Sequence, residues 1–242
     1  MLDAQENHSG KMLDAQESHS GKMLDAQEQA YDVANARVTL GPASSNSLRH
    51  DPKHLAFVLA RYKFCAKMLE GKAAVMDIGC GDAFGLPILA QAVGRVYAVD
   101  RNGPLVEDDH YRLKDHCGAV KFIHADVADW TLPERPLCDA AITLDVLEHI
   151  APENEDAFMR GILECLGSNG TLIIGMPNVT AAPYASPQSQ AGHINLKTGA
   201  ELRAFASRYF KHVFMMGMND EVVHTGYQPM AHYLLALCCE VK

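Results

Sequence analysis

The chain has few of the features that mark secreted, membrane-spanning or nucleic-acid-binding proteins. Its seven cysteines form no C-x-x-C pair, so neither a disulfide framework nor a zinc knuckle is indicated. No apolar run approaches the ~20 residues that span a bilayer, and the polar, acidic N-terminus does not resemble a signal peptide. A net charge of −9 argues against a broad surface for nucleic acid or anionic membrane. We therefore expect a cytoplasmic protein without nucleic-acid or membrane partners.

The most informative segment is a buried strand that leads directly into a glycine-rich turn, residues 73–85, followed by an apolar helix at 86–93. Gly79 and Gly81 permit a tight turn and let a ligand approach bare backbone. A second strand, residues 95–99, ends at Asp100. An acid there, about 20 residues after the first glycine, typically binds the ribose hydroxyls of an adenosine. The order of these elements predicts a site for an adenosine-containing cofactor.

The residue before the turn separates two cofactor classes. The spacing is Gly-x-Gly-x-x-x-Gly with Asp77 in front of it, whereas dinucleotide folds use Gly-x-Gly-x-x-Gly to seat a pyrophosphate. A carboxylate at Asp77 would repel a pyrophosphate and attract the amino group of a methionine-like ligand, directly or through water. This favours S-adenosylmethionine (SAM). An NAD(P)-dependent oxidoreductase stays open as the enzymatic alternative, and a catalytically silent SAM-fold partner protein as the non-enzymatic one.

Three segments together resemble the class I SAM-dependent methyltransferases. Residues 75–85 are similar to motif I, Asp100 falls at the ribose acid, and residues 122–127 resemble the adenine-binding strand end. Residues 138–150 are similar to motif IV of the ubiquinone-type O-methyltransferase branch, in which Val-Leu-Glu-His recurs. The resemblance covers residues 73–242 and implies an α/β fold with a doubly wound, seven-stranded, mostly parallel sheet whose last strand is antiparallel. Ala83 stands where the family commonly has a third glycine.

The predicted SAM site combines the motif residues with the ends of neighbouring strands. Asp126 would accept a hydrogen bond from the adenine amino group, with the Val127 backbone completing the contact. Trp130, the single tryptophan, either stacks on the adenine or covers the edge of the pocket. The candidate cofactor-binding residues are Asp77, Gly79, Cys80, Gly81, Asp100, Asp126, Val127 and Leu144.

A cluster of acids and histidines follows the fourth predicted strand. If a helical turn begins there, Asp145, Glu148 and His149 face one point, because i, i+3 and i+4 share a helix face. Two carboxylates and an imidazole can bind a divalent cation such as Mg²⁺, with His193 as a fourth ligand. Some ubiquinone-branch and RNA-end methyltransferases have a similar E-x-x-E-H cluster and a later histidine. Alternatively, Glu148 caps a helix, and His149 or His193 is the catalytic base without metal.

The chain divides into three predicted regions. Residues 1–34 contain a Met-Leu-Asp-Ala-Gln-Glu repeat with a period of eleven and are interpreted as a mobile or marginally helical arm. Residues 35–72 contain a loop at 40–51 and an amphipathic helix at 52–69. Residues 73–242 form the SAM-binding domain with substrate loops at 177–199 and 219–230. The second loop would bring to a hydroxylated substrate the residues Asp220, Glu221, His224 and Tyr227, unless it is an ordinary surface hairpin.

Carboxylates and histidines outnumber aromatic residues around the proposed acceptor site. This favours O-methylation of a small polar metabolite, hydroxylated or sugar-like, over N-methylation, with SAM as methyl donor and a divalent metal as an assisting ion. The oligomeric state stays open, a homodimer included.

Overall fold

The computed structural model describes residues 37–115, 117–130 and 135–242. The predicted repetitive arm, residues 1–34, lies outside the described residues. The chain divides into two units, residues 1–39 and 40–242. Of the first unit only residues 37–39 are described, and they form neither helix nor strand. Every described helix and strand belongs to the second unit.

Eight described strands form one sheet in the order β3-β2-β1-β4-β5-β8-β6-β7. Strands β1 to β5 are parallel, and β8 lies antiparallel between β5 and β6. The prediction of a Rossmann-like, mostly parallel sheet with a C-terminal antiparallel strand is confirmed. The strands are β1 (Val75–Ile78), β2 (Val96–Asp100), β3 (Val120–His124), β4 (Cys138–Leu144), β5 (Leu166–Pro177), β6 (Phe210–Asn219), β7 (Val222–His224) and β8 (Tyr233–Val241).

The predicted strand count of seven is low by one. Val222–His224, expected inside a loop, pairs antiparallel with the end of β6 as a short edge strand. The two-residue turn Asp220–Glu221 joins them, with Asp220 at φ +50°. A strand of three residues is too short to show the alternation of apolar and polar residues by which a strand is recognised in a sequence.

Helices cover both faces of the sheet, as the doubly wound prediction requires. On one face, α5 and α7 pack Phe158, Ile162 and Leu202 onto the strands. On the other face, α2, α3 and α4 contribute Tyr62, Leu89 and Leu113. The helices are α1 (Pro42–His50), α2 (Lys53–Met68), α3 (Leu86–Ala90), α4 (Gly103–Leu113), α5 (Glu155–Leu163), α6 (Pro187–Gly192) and α7 (Gly199–Ala206).

The segment predicted as a loop at residues 40–51 is instead largely the helix α1. Pro42 occupies its first turn, where a missing N–H costs no hydrogen bond. The Ser44 N–H and hydroxyl both donate to the buried Asp82 Oδ2, at 2.6 and 2.8 Å. This tertiary anchor outweighs the weak helix propensity of the Gly-, Pro-, Ser- and Asn-rich sequence, and it fixes α1 beside the glycine turn.

The order of the strands determines where a ligand can bind. From β1 the chain passes outward to β2 and β3, and then returns to place β4 on the other side of β1. The crevice at such a reversal, beyond the carboxyl ends of the strands, is the usual binding site in open α/β sheets. Here it lies between the ends of β1 and β4.

Candidate SAM-binding and acceptor site

A cavity of about 490 Å³ opens at the carboxyl ends of β1, β2 and β4. Its volume falls in the range of small-molecule and cofactor sites. Of the predicted site residues, seven line it: Gly79, Gly81, Asp100, Asp126, Val127, Asp145 and His149. The cavity therefore brings together both predicted glycines, the ribose acid, the adenine strand end and the start of the acidic cluster.

The backbone conformation of the glycine turn explains why glycine occupies two of its positions. Gly79 and Gly81 have φ of +73° and +58°, a region that side chains make costly. A Cβ on Gly79 would overlap the side chain of Val146, the residue after Asp145. Ala83, in place of a third glycine, also has positive φ, +54°, and is fully buried. The turn thus keeps its left-handed geometry at Ala83 despite the methyl group.

Asp100 ties the glycine turn to the end of β2. Its two carboxylate oxygens accept the N–H groups of Gly81 at 3.1 Å and Asn102 at 2.8 Å. Each oxygen keeps a lone pair for a further donor, which suits a ribose diol in the cavity. Asp126 accepts the Ala128 N–H at 2.9 Å through Oδ1, and both Asp126 and Val127 lie on the same wall.

Asp77, predicted to bind the amino group of the cofactor, has a different environment. It is 1% exposed and is not among the residues that line the cavity. Its Oδ2 accepts the Tyr62 hydroxyl of α2 at 2.8 Å. Burial raises the pKa of Asp77 to about 7, opposed by the Tyr62 hydrogen bond. Cys80 and Leu144 are likewise buried in the core on the α2 side, and none of these three predicted residues lines the cavity.

Asp145 projects from the wall after β4 in a strained conformation. Its φ is +56°, which is uncommon outside glycine and is found at functional sites. Its N–H donates to the Gly175 carbonyl at 3.0 Å. Its Oδ2 pairs with Arg61 Nη1 at 2.5 Å. The Arg61 side chain is 7% exposed, and its guanidinium carbon lies 3.8 Å from the centroid of the Tyr233 ring.

Three of the four predicted metal ligands converge. Ligand atoms of Glu148, His149 and His193 all lie within 4.8 Å of one another. Glu148 is fully buried, yet within the described part of the chain neither of its carboxylate oxygens has a hydrogen-bond partner. Burial, followed by the charge of Asp145, raises the pKa of Glu148 to about 9. Asp145 does not belong to this group and is bound to Arg61 instead.

The loop at residues 192–195 is hydrogen-bonded to the segment that contains Glu148 and His149. The Glu148 carbonyl accepts the N–H groups of Ile194 at 2.9 Å and Asn195 at 3.0 Å. His149 Nδ1 lies 2.8 Å from the Gly192 carbonyl oxygen. Because a carbonyl only accepts, we assign the proton to Nδ1, which leaves the Nε2 lone pair of His149 for a metal or a proton. Burial and nearby His149 lower the pKa of His193.

The predicted substrate loops contain regular structure. The segment 177–199 includes a 3₁₀ helix, Val179–Tyr184, and α6. The segment 219–230 includes β7. Asp220, Glu221, His224 and Tyr227 do not line the cavity, and His224 is bound locally to Asn219 Oδ1 at 2.8 Å. Their role in substrate binding stays a prediction.

Several cavity residues were not predicted from sequence. Phe158 projects from α5, Arg101 follows the ribose acid, and Gly192 precedes His193. Phe158 belongs to an amphipathic helix face and cannot be distinguished there from a core residue. The adjacency of Arg101 to Asp100 was a usable signal. Trp130, by contrast, is buried in the α5-side core and is not a lining residue, which favours the covering role over stacking on a base.

Residues 75–170 match the protein-family model described as a methyltransferase domain. The matched segment begins at β1 and contains the glycine turn, Asp100, Asp126 and the Asp145–His149 segment, and so most of the cavity wall. Residues 75–170 are therefore similar to methyltransferase domains. The prediction of a class I, SAM-dependent methyltransferase is confirmed at the level of domain and fold. The ubiquinone-type branch, the acceptor and the metal stay predictions.

Curated relatives agree with this assignment. The chain is 26% identical over 110 residues to a probable S-adenosylmethionine-dependent methyltransferase of Mycobacterium tuberculosis, covering 45% of this chain and 38% of that one. It is 35% identical over 102 residues to a protein-L-isoaspartate O-methyltransferase of Saccharophagus degradans, covering 41% of each. The chain thus spans about two fifths of the length of these relatives.

Solved structures share the fold of the methyltransferase domain. The methyltransferase domain of bacterial CtHen1 aligns with a TM-score of 0.63 at 17% identity, covering 76% of this chain and 98% of that one. The N-methyltransferase NodS from Bradyrhizobium japonicum, in complex with S-adenosylhomocysteine (SAH), aligns with a TM-score of 0.56 at 14% identity, covering 80% and 90%. Among the helices of the described residues, none combines the length and apolar character needed to cross a membrane.

Proposed function

We propose that this chain transfers a methyl group from SAM to a hydroxyl of a small polar acceptor, with a divalent cation bound by Glu148, His149 and His193. The observation that carries the proposal is the adjacency of two features. His149 both lines the cavity that holds the SAM-type residues and belongs to the three-residue cluster. The cluster therefore stands where the acceptor would meet the cofactor.

The residues of the cavity fit SAM better than a dinucleotide. Its lining carries three carboxylates, Asp100, Asp126 and Asp145, against one arginine, Arg101. This charge would disfavour a pyrophosphate and suits a cofactor with a positive sulfonium and an ammonium group. Asp77, expected to repel a pyrophosphate, is buried away from the cavity, and the lining carboxylates would repel it instead. SAM transfers its methyl group as a methyl cation equivalent, and the sulfur keeps the bonding electron pair. The protein therefore mainly has to align the acceptor with the methyl group in a pocket that excludes water.

The cluster fits a metal ion because its acid is otherwise unexplained. A fully buried carboxylate without a hydrogen-bond partner is costly, and Glu148 has this environment. Two imidazoles and a carboxylate suit Mn²⁺, Fe²⁺ or Zn²⁺, and Mg²⁺ if water completes the ligand set. A bound cation would lower the pKa of an acceptor hydroxyl.

The acceptor oxygen must also lose a proton as its bond to the methyl carbon forms. With the cation bound, the lone pairs of both histidines are occupied and the acidified hydroxyl releases its proton to water. Without metal, His193 suits the role of base because its lowered pKa keeps the imidazole neutral near pH 7. In that metal-free case His149, with its proton assigned to Nδ1, offers Nε2 as a second proton acceptor. A base or a metal at this cluster serves oxygen acceptors in particular, since a neutral amine attacks without prior deprotonation. This supports O-methylation of a hydroxyl, as in the ubiquinone-type branch. One curated relative is named as an O-methyltransferase of protein isoaspartate, whereas NodS, which shares only the fold, is named as an N-methyltransferase.

Methyl transfer from labelled SAM to a panel of small hydroxylated and amino compounds tests this function. We expect label in a hydroxylated acceptor, loss of transfer after chelation, and recovery on adding Mn²⁺ or Mg²⁺. SAM binding should persist in the chelated protein because the cavity carboxylates remain. Transfer to amines alone would contradict O-methylation, and full transfer in chelator would contradict the metal.

A further inference from the structure

An acid in the cavity would pair with the ammonium group at the amino acid end of SAM, and Asp77, expected in that role, does not line the cavity. Asp77 is buried, bound to Tyr62 and away from the lining. Of the three carboxylates on the lining, Asp100 already accepts two N–H groups at the end of β2. Asp126 lies at the end of the adjoining β3. Both belong to the β2–β3 side, where an adenosine would lie.

Asp145 is the carboxylate on the opposite, β4 side of the same cavity. Its neighbour Val146 abuts Gly79 of the glycine turn, so this wall directly adjoins the turn over which the cofactor would pass. The Asp145 side chain is 38% exposed. Its Oδ2 is held by Arg61, while within the described residues no hydrogen bond to its Oδ1 is found. Asp145 thus has one oxygen anchored and one oxygen open to a donor.

Arg61 explains why Asp145 keeps this orientation. The guanidinium is buried and stacked on Tyr233 of β8, so it cannot swing out to solvent with its partner. The ion pair joins α2 to the end of β4 across 84 positions of sequence. The left-handed backbone at Asp145 and its N–H bond to Gly175 fix the carboxylate from the other side.

We infer that the Asp145 carboxylate binds the ammonium group of the amino acid end of SAM, and that Arg61 is the residue that positions it. The inference rests on the proposed function, in that SAM occupies this cavity. It assigns to Asp145 a role other than the metal ligand expected from sequence. The ion pair with Arg61 and the three-membered cluster without Asp145 both favour the cofactor role.

Asp145→Asn tests the inference with three ligands. SAM and SAH both carry the ammonium group, whereas 5′-methylthioadenosine has the adenosine and the sulfur but no amino acid. We expect calorimetric titration to show roughly 10- to 100-fold weaker binding of SAM and of SAH, the loss typical of a charged hydrogen bond. Binding of 5′-methylthioadenosine should be unchanged. Asp100→Asn is the matched control and should weaken all three ligands.

The substitution suits the backbone because asparagine tolerates positive φ well. It leaves the buried Arg61 without its anion, which is destabilising. If the single variant does not fold, Arg61→Met with Asp145→Asn removes the charge as well and should show the same ligand pattern. Arg61→Met alone should weaken SAM and SAH but not 5′-methylthioadenosine, a selectivity that a general loss of stability would not produce.

The outcomes separate the inference from the function beneath it. If the unaltered protein binds neither SAM nor SAH, the proposed function fails. If it binds both and Asp145→Asn binds them equally well, the inference fails while the function stands. Unchanged SAM binding with weakened Mn²⁺ binding would make Asp145 a metal ligand and also overturn the inference. Equal weakening of all three ligands would show a general disturbance of the cavity and overturn it too.

Discussion

Gly79→Ala should weaken SAM binding by about 10- to 100-fold, the range expected when a methyl group is forced into a packed site. Gly79 has φ +73°, and its added Cβ would overlap Val146. Val146 is β-branched and stiff, so the wall that carries Asp145 must shift to make room. That displacement narrows the cavity where the cofactor passes the glycine turn. Calorimetric titration with SAM measures the loss.

Gly71→Ala is the control for backbone strain. Gly71 has φ +80°, and a Cβ there would meet nothing within 4 Å. Both variants should lose roughly 1–2 kcal/mol of unfolding free energy from the left-handed conformation, measured by chemical denaturation. The Gly71 variant alone should bind SAM normally. Equal SAM affinity in the Gly79 variant and the unaltered protein would show that the cofactor binds elsewhere.

Glu148→Gln should lower methyl transfer by about 100-fold or more while SAM binding stays unchanged. Glutamine keeps the shape of the side chain and removes the negative charge that a cation needs. Losing a supporting partner of a metal ligand already costs 10- to 100-fold, and Glu148 would be a ligand itself. A rise in the thermal midpoint on adding Mn²⁺ should occur in the unaltered protein and be absent in the variant. Glu153→Gln, an exposed neighbour, removes the same charge and should keep both properties.

The stability of the Glu148→Gln variant should also differ from that of the unaltered protein in its dependence on pH. In metal-free protein the folded state holds the Glu148 proton up to a pKa of about 9, against an ordinary value of 4.5. The unfolded chain releases that proton first, so this group's contribution to stability is lost as pH rises through the window between the two values. Glutamine has no proton to release. The stability of Glu148→Gln relative to the unaltered protein should therefore increase with pH, by at most about 1.4 kcal/mol per unit. A constant difference, together with normal transfer, would contradict the role given to Glu148.

The centre of the fold could be predicted because its signals are local. The strand, the two glycines and Asp100 lie within one βαβ unit, where short-range geometry fixes their roles. Gly79, Gly81, Asp100 and Asp126 all line one cavity, and their contacts with a cofactor stay predictions. Glu148 and His149 are also adjacent in sequence, and His193 joins them through the loop hydrogen bonds to the Glu148 carbonyl.

Environments that the sequence did not predict arise where a distant residue is the partner. Asp77 is hydrogen-bonded to Tyr62 and does not line the cavity, and Asp145 is paired with Arg61. Both partners lie on α2. The periodicity of this segment predicted a helix, but it did not predict which strand ends the helix packs against. The helix α1 was missed because Asp82 anchors Ser44 from 38 positions away. No local pattern reports such pairs of buried polar groups.

Direct titration of the protein with SAM and with NAD tests the central claim most directly. The cavity with two left-handed glycines, Asp100 and an excess of carboxylates predicts saturable binding of SAM at one site, weakened by Asp100→Asn, and no measurable binding of NAD. Binding of NAD with no response to SAM would contradict the account and favour the oxidoreductase alternative.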